Sequence, residues 1–359
     1  DYRVYHSATC PRVFDFEASI LYTFIYDTFN YVAYHGEDTR TMTLQQIFDL
    51  ALQMGIKADP RGETEVKRIL AKLKKEYNEL PEKKKKYFDK ESFVNPYSDT
   101  RLFWGDPKTS VKRALVGIDA DATEVLLADR LTQKGTKIDA VIGHHPIGIS
   151  LLALNEVMDL QVNAYADVGV PINVMDALMR ERSEDVKRKI HPSNHNQIID
   201  TARLLEMPLM NLHTAWDNMG DKFMTDYLSK KKFDTVGEIV DYMMELPEYE
   251  EAMVGKNGPE IVSGSEKSRA GKVAIFFTGG TNPSKEIYAE LAKAGVGTLV
   301  DMHIPEDGLK ELKKLHVNVI NAGHMASDSI GANLFLDEIE KRGVEVVAAS
   351  GLIRIKRKK

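Results

Sequence analysis

Apolar and polar positions change rhythm near residue 111. Before it, two stretches carry a helical period. Leu44, Ile47, Phe48, Ala51 and Leu52 fall on one helical face, with Thr43 placed as N-cap. Val66, Ile69, Leu70, Leu73 and Tyr77 do the same within 63–80, ahead of a solvated lysine run at 83–86. Residues 92–110, rich in Asn, Pro, Ser, Asp and Gly, read as a loop. From 111 on, short apolar runs alternate with helical stretches. A strand at 113–118 precedes a turn and cap at 119–123, a helix to about Thr132 closed by Gly135, and a second strand at 138–142. This spacing implies a parallel strand pair in an α/β sheet. Residues 151–205 read as mostly helical, with helices at 157–167, 171–187 and 194–205. A strand at 207–212 follows, then a lysine-rich turn and helix within 230–253. The polar stretch 260–270 marks a candidate boundary.

The second half restates the first. A strand at 273–277, a turn at 279–284, a helix at 285–293 closed by Gly295 and a strand at 298–301 lead to His303. Placing His303 on His145 overlays all of them. A later strand at 317–320 runs into His324 and Asp328, as the strand at 207–212 runs into His213 and Asp217. Both halves thus carry a strand ending in His-x-x-x-Asp. The fold class expected is α/β, built from two similar α/β units related by an internal repeat. A cleft at the carboxyl ends of their strands is where such sheets bind ligands. Residues 42–255 would form the first unit with a helical insertion and 256–359 the second, together one domain. Residues 1–41 are dense in Tyr and Phe without a period of 2 or 3.6. They read as an atypical extension, with a natural start at Met42.

Composition narrows the function. The net charge of −6 over 359 residues disfavours nucleic acid as a partner, despite a short basic tail at 354–359. No run reaches the ~20 apolar residues of a membrane span. A single cysteine, Cys10, excludes a disulfide framework and a multi-thiolate metal site within the chain, as expected of a cytoplasmic protein.

Chemistry concentrates at Ala140-Val-Ile-Gly-His144-His145-Pro146. Neighbouring side chains on a strand point to opposite sides. At a strand end the chain turns, and both rings can aim at one space. His144, His145 and His324 offer neutral nitrogen donors, and Asp217 and Asp328 offer the negative charge that two adjacent cations require. Five protein donors for two divalent ions leave positions open for water or substrate. The mixed donors suit Zn, Fe, Mn or Co without choosing among them. Asp119 and His213 are candidates for supporting or proton-transfer roles. His191 and His195 flank a helix start and read chiefly as polar capping, with substrate contact the alternative. Gly279-Gly280-Thr281 reads as a simple turn, with a phosphate cradle as alternative; no P-loop pattern occurs.

Three motifs together resemble the Nif-three-like family, also known as GTP cyclohydrolase 1 type 2 homologues or dinuclear metal centre hexameric proteins. They are Asp139-Ala-Val-Ile-Gly-His144-His145-Pro146, His213-Thr-Ala-Trp-Asp217-Asn218 and Ala322-Gly-His324-Met-Ala-Ser-Asp328-Ser329. The resemblance covers roughly 43–350 and implies metal ligands at His144, His145, Asp217, His324 and Asp328. It also implies two metals per chain and a ring-shaped homohexamer. Asp328 stands where the family usually has Glu. The expected function is a dinuclear metal-dependent hydrolase of a nucleotide or other small phosphorylated or cyclic substrate. The rival is a non-catalytic metal-binding hexamer acting as regulator, carrier or scaffold. Nothing in the sequence reads as a guanine pocket.

Overall fold

A computed structural model of the chain describes residues 41–357. The expected extension at 1–41 therefore lies, but for residue 41, outside the described part, whereas Met42, the expected natural start, lies within it, buried in a short strand over Met42–Thr43. Nine strands form two larger sheets: β1 Thr100–Trp104, β2 Arg113–Gly117, β3 Ala140–Gly143, β4 Leu209–Leu212, β5 Glu260–Ser263, β6 Lys272–Phe276, β7 Val296–Asp301, β8 Asn318–Asn321 and β9 Glu345–Ala349. The first sheet has the order β9-β2-β3-β4-β1, the second β5-β8-β7-β6. In the first, β2, β3 and β4 are parallel and β1 lies antiparallel beside β4. In the second, β6, β7 and β8 are parallel and β5 lies antiparallel beside β8. The repeat read from the sequence is thus a repeat of sheet topology.

Three strands, β1, β5 and β9, are not among those expected from the sequence. β1 sits inside the expected loop at 92–110 and β5 inside the expected boundary at 260–270. All three are edge strands, and the short apolar run in β1, Leu102 to Trp104, is masked by the turn-forming residues around it. The repeat also closes differently at its end. β9, from the second half of the chain, pairs in parallel with β2 of the first sheet.

The main helices are α1 Leu44–Ala58, α2 Ala122–Gln133, α3 Asp159–Asp167, α4 Ile172–Ile190, α5 Gln197–Leu204, α6 His213–Leu228, α7 Lys285–Lys293, α8 Glu306–Lys314 and α9 His324–Lys341. Thr43 starts α1 with a capping box: Gln46 N–H donates to Thr43 Oγ1 and Thr43 N–H to Gln46 Oε1. Such a cap contributes about 1 kcal/mol. The apolar face of α1 packs on one side of the first sheet with α6 and α9, while α2 and α5 cover the other side. Within β3, Ala140 and Ile142 face the first layer and Val141 the second. A parallel sheet buried on both faces has to read as a continuous apolar run. Helices α3 and α4 of the insertion cover the second sheet, together with α7 and α8.

Helices α6 and α9 pass between the two sheets and belong to both cores. Trp216 and Phe335 join the core of the first sheet, Met224 and Ile330 that of the second. The two helices meet at glycines. A Cβ on Gly331 would lie 2.1 Å from the Trp216 carbonyl oxygen. The sequence reading took the starts of both helices as strand ends and missed the helices that follow. Nearly every position in their first two turns is buried, so the polar stripe that marks a surface helix is absent.

Candidate metal centre

The first donors come from the end of β3. The backbone N–H groups of His144 and His145 donate to the carbonyls of Gly117 and Ile118 beyond β2. Gly143 admits this approach, since a Cβ there would lie 2.6 Å from Ala120 Cβ. Asn211, at the end of β4, donates from Nδ2 to the carbonyls of His144 and Asp99. The turn therefore holds both imidazoles at the strand ends. The remaining donors come from the N-terminal turns of α6 and α9. In a helix, positions i and i+4 share a face, so His213 stands beside Asp217 and His324 beside Asp328.

Three histidines are oriented alike. His144 Nδ1 faces the Leu212 carbonyl at 3.3 Å, His145 Nδ1 faces Asp119 Oδ1 at 2.7 Å, and His213 Nδ1 faces Asp99 Oδ2 at 2.7 Å. Each partner is an acceptor, which places a proton on Nδ1 and, in the neutral ring that binds a metal, leaves the lone pair on Nε2. This is how metal-binding histidines are usually held. The free nitrogens converge on the carboxylates. His144 Nε2 lies 3.2 Å from Asp217 Oδ1 and 3.6 Å from Asp328 Oδ1. His145 Nε2 lies 3.4 Å from Asp328 Oδ2, and His213 Nε2 lies 3.7 Å from Asp217 Oδ2. Two compact donor groups result, His144–His145–Asp328 and His144–His213–Asp217. His324 Nε2 stands 3.4 Å from Asp328 Oδ2, outside these tight groups. His144 stacks on Trp216, with the ring planes 6° apart.

Of the five residues named from the sequence, His144, His145, Asp217 and Asp328 fall within these groups, and His324 stands beside Asp328. His213, expected in a supporting or proton-transfer role, shares a compact group with His144 and Asp217, and its Nδ1 faces Asp99. Asp99 was missed because it lies in the stretch read as loop. Asp119, expected in a supporting or proton-transfer role, lies against His145 Nδ1. His191 and His195 are not part of the cavity lining.

Four buried polar atoms in this cluster make no hydrogen bond: His144 Nε2, His145 Nε2 and both oxygens of Asp328. Unpartnered polar atoms are rare in protein interiors, and lone pairs converging from nitrogen and oxygen are what a divalent cation accepts. The residues present fit such an ion. Their charges are strongly coupled. Burial opposes a charged ring at His144, but Asp328 and Asp217 outweigh it and lift its pKa well above the histidine range. Burial likewise opposes charge on Asp328, yet the surrounding imidazoles hold its carboxyl far below the usual carboxylate range. His145 is raised, Asp328 and Asp119 overcoming its burial. His324 goes the other way: burial, aided by the neighbouring imidazoles, pushes it down to about 4 against the pull of Asp328.

The cluster opens on a cavity of about 210 Å³. His145, His213, Asp217, His324 and Asp328 line it on the donor side. The rest comes from α3, from the Thr278–Pro283 loop and from the end of β7, where Asp301, Met302 and His303 follow one another.

A doubled α/β fold with histidines and aspartates converging between its halves fits a metal-binding protein. No family model and no curated protein matches the chain. Among solved structures, it is similar to a NIF3 superfamily protein from Sphaerobacter thermophilus. The two share 27% identity over 87% of this chain and 99% of that one, with a TM-score of 0.69. Reduced HcgD from Methanocaldococcus jannaschii is 12% identical over 69% of this chain and 87% of its own, with a TM-score of 0.44. TTHA1606 from Thermus thermophilus is 15% identical over 70% and 89%, with a TM-score of 0.41. The likeness to the Sphaerobacter protein supports a Nif3-like family for this chain.

Proposed function

We propose that the chain is a dinuclear metal-dependent hydrolase acting on a small substrate, a nucleotide or another phosphorylated or cyclic compound. The observation that carries this reading is the set of four buried, unpartnered polar atoms on His144, His145 and Asp328 beside an open cavity. His144, His145 and Asp328 would hold one ion, and Asp217 with His213 the other, with His324 approaching from the rim. Bound there, such ions lower the pKa of water toward neutrality and polarise a carbonyl or phosphoryl group. The chain's own part is to fix the ring tautomers through Asp119, Asp99 and the Leu212 carbonyl. Zn, Fe, Mn and Co all suit these donors. The family resemblance suggests a homohexamer, which light scattering on the purified protein would test. Among the described residues no helix is long and apolar enough to cross a membrane.

The test is elemental analysis of protein purified without chelator, for the intact chain and for His145→Ala. About two equivalents per chain, sharply reduced in the variant, is the expected result. Absence of bound metal, or content that the substitution leaves unchanged, would overturn the reading. Metal-dependent turnover of a nucleotide, phosphoester or cyclic compound then separates a hydrolase from a non-catalytic metal-binding assembly.

A further inference from the structure

The cavity has a second wall whose chemistry differs from the metal cluster. Gln161 on α3 reaches into the lining and is 4% exposed. Its Nε2 donates to the carbonyls of Gly279 at 2.9 Å and Thr281 at 2.6 Å. Both partners are acceptors, so the orientation of the amide is determined. Its Oε1 is then a buried acceptor with no partner. Beside it lie Tyr165, stacked on Phe276 with centroids 4.0 Å apart, and the hydroxyl-bearing Thr278 and Thr281.

The loop at Gly279–Thr281 is tied to α3 through this glutamine. Gly279 and Gly280 have φ of +103° and +88°, and a Cβ on Gly279 would lie 2.2 Å from Gln161 Cγ. The loop's carbonyls are turned toward Gln161. No lysine or arginine is among the described residues lining the cavity. The nearby Arg182 donates from Nε to the carbonyl of Asn282 and is not in the lining. This wall offers a carbonyl-type acceptor, hydroxyls and aromatic edges, and no side-chain cation for a phosphate. The cavity is also smaller than the ~300–1,000 Å³ of a typical ligand site.

We propose that the wall formed by Gln161, Tyr165 and the Thr278–Asn282 loop is a specificity site for a small, uncharged, flat substrate bearing an N–H donor. The bond cleaved would then be the C–N bond of a cyclic amide and not the P–O bond of a phosphoester. Gln161 Oε1 accepts the ring N–H, and the adjoining carbonyl faces the donor cluster. In the hydrolysis, water's OH bonds to the carbonyl carbon, the C–N bond breaks, and the nitrogen takes up water's other proton, giving one open-chain molecule with a carboxylic acid at one end and an amine or urea at the other. This inference rests on the hydrolase reading and selects one substrate class within it. Burial of Asp301 in the same lining, which pushes its carboxyl up to about 8, agrees with a recess that avoids charge.

The test uses the full chain with its metal content measured, and hydantoin, dihydrouracil, p-nitrophenyl phosphate and inorganic phosphate as probes. Saturation-transfer NMR reads binding, and ring opening or phosphate release reads turnover. The expected result is binding and ring opening of a cyclic amide. Gln161→Met should raise its KM about tenfold, the effect of one lost hydrogen bond, with a smaller change in kcat. Preference for p-nitrophenyl phosphate by metal-loaded protein would overturn the inference and leave the hydrolase reading standing. So would cyclic amides that neither bind nor react, or a KM unmoved in Gln161→Met. Gln161-dependent binding of hydantoin with no ring opening by metal-loaded protein would sink the hydrolase reading and keep the specificity site. If Gln161→Met does not fold, the comparison of cyclic amide with phosphate on the parent chain still decides.

Discussion

His213 Nδ1 and Asp99 Oδ2 stand 2.7 Å apart, joining the start of α6 to the turn before β1. Asp99 is fully buried, and the same oxygen accepts a hydrogen bond from Thr214 Oγ1. A carboxylate with two donors on one oxygen is a strong acceptor. It commits His213 to the tautomer whose Nε2 faces Asp217.

Asp99→Asn keeps the shape and removes the charge. If His213 binds metal, the variant should fold and lose roughly 10–100-fold in metal affinity, the usual effect of a lost supporting carboxylate. Competition with a chromophoric chelator measures it. Unchanged affinity would assign the Asp99–His213 pair to folding alone.

Asp301 supplies a test by pH. Burial pushes its carboxyl up to about 8, against the N–H groups of Met302 and His303, with Asp221 adding to the rise. Above pH ~4 the unfolded chain has released this proton while the folded chain keeps it. The folded state then binds more protons, and stability falls as pH rises from about 4 to about 8. Asp301→Asn retains an acceptor and removes the titration. Its Tm should exceed that of the parent by a few degrees or more at pH 8, with the gain disappearing near pH 4. Equal Tm differences at both pH values would contradict the raised pKa.

The contact of α6 with α9 should tolerate no added methyl group. A Cβ at residue 331 meets a backbone oxygen at 2.1 Å, and a backbone atom has no rotamer to escape into. Gly331→Ala must push the helices apart, at a cost of about 1–3 kcal/mol for overpacking. Because each helix carries an Asp of the cluster, the variant should lose metal affinity as well as Tm. A lowered Tm with unaltered metal affinity would mean that the donors are placed independently of this contact.

The sequence was legible where burial is one-sided or complete in short runs. The strands at 113–118 and 138–142 show as apolar runs, and Thr43 marks its helix by a cap. Helices α6 and α9 were illegible for the opposite reason. His213, Thr214, Asp217 and Asn218 are polar yet buried, so the usual inside-outside contrast is erased where the site is built. The donors themselves stood out as His-His and His-x-x-x-Asp at matched strand ends. The partner of His213 did not, because Asp99 lies far from it in sequence and carries no motif, and the same holds for Gln161 on the opposite wall of the cavity. The insertion helices were recognised as helices, but their role as a wall of the cavity depends on packing against the second sheet.

The two carboxylates of the cluster are not equivalent. Asp328 faces His144, His145 and His324 at 3.4–3.6 Å, whereas Asp217 faces only His144 and His213. His144 belongs to both donor groups but has a single free nitrogen, so it can complete only one of them. A carboxylate has two oxygens and can serve two ions, which makes Asp328 the residue able to join the groups. Asp328→Ala should therefore reduce metal content toward zero, and Asp217→Ala by about one equivalent of the two proposed. Asp328→Glu, which restores the side chain usual in the resembling family, should keep both ions. Metal binding displaces protons from the imidazoles, so the affinity of all retained sites should fall as pH drops through the histidine range. Elemental analysis across pH 5–8 measures both effects. Equal losses in the two alanine variants would place Asp217 and Asp328 on the same footing and remove the bridging role from Asp328.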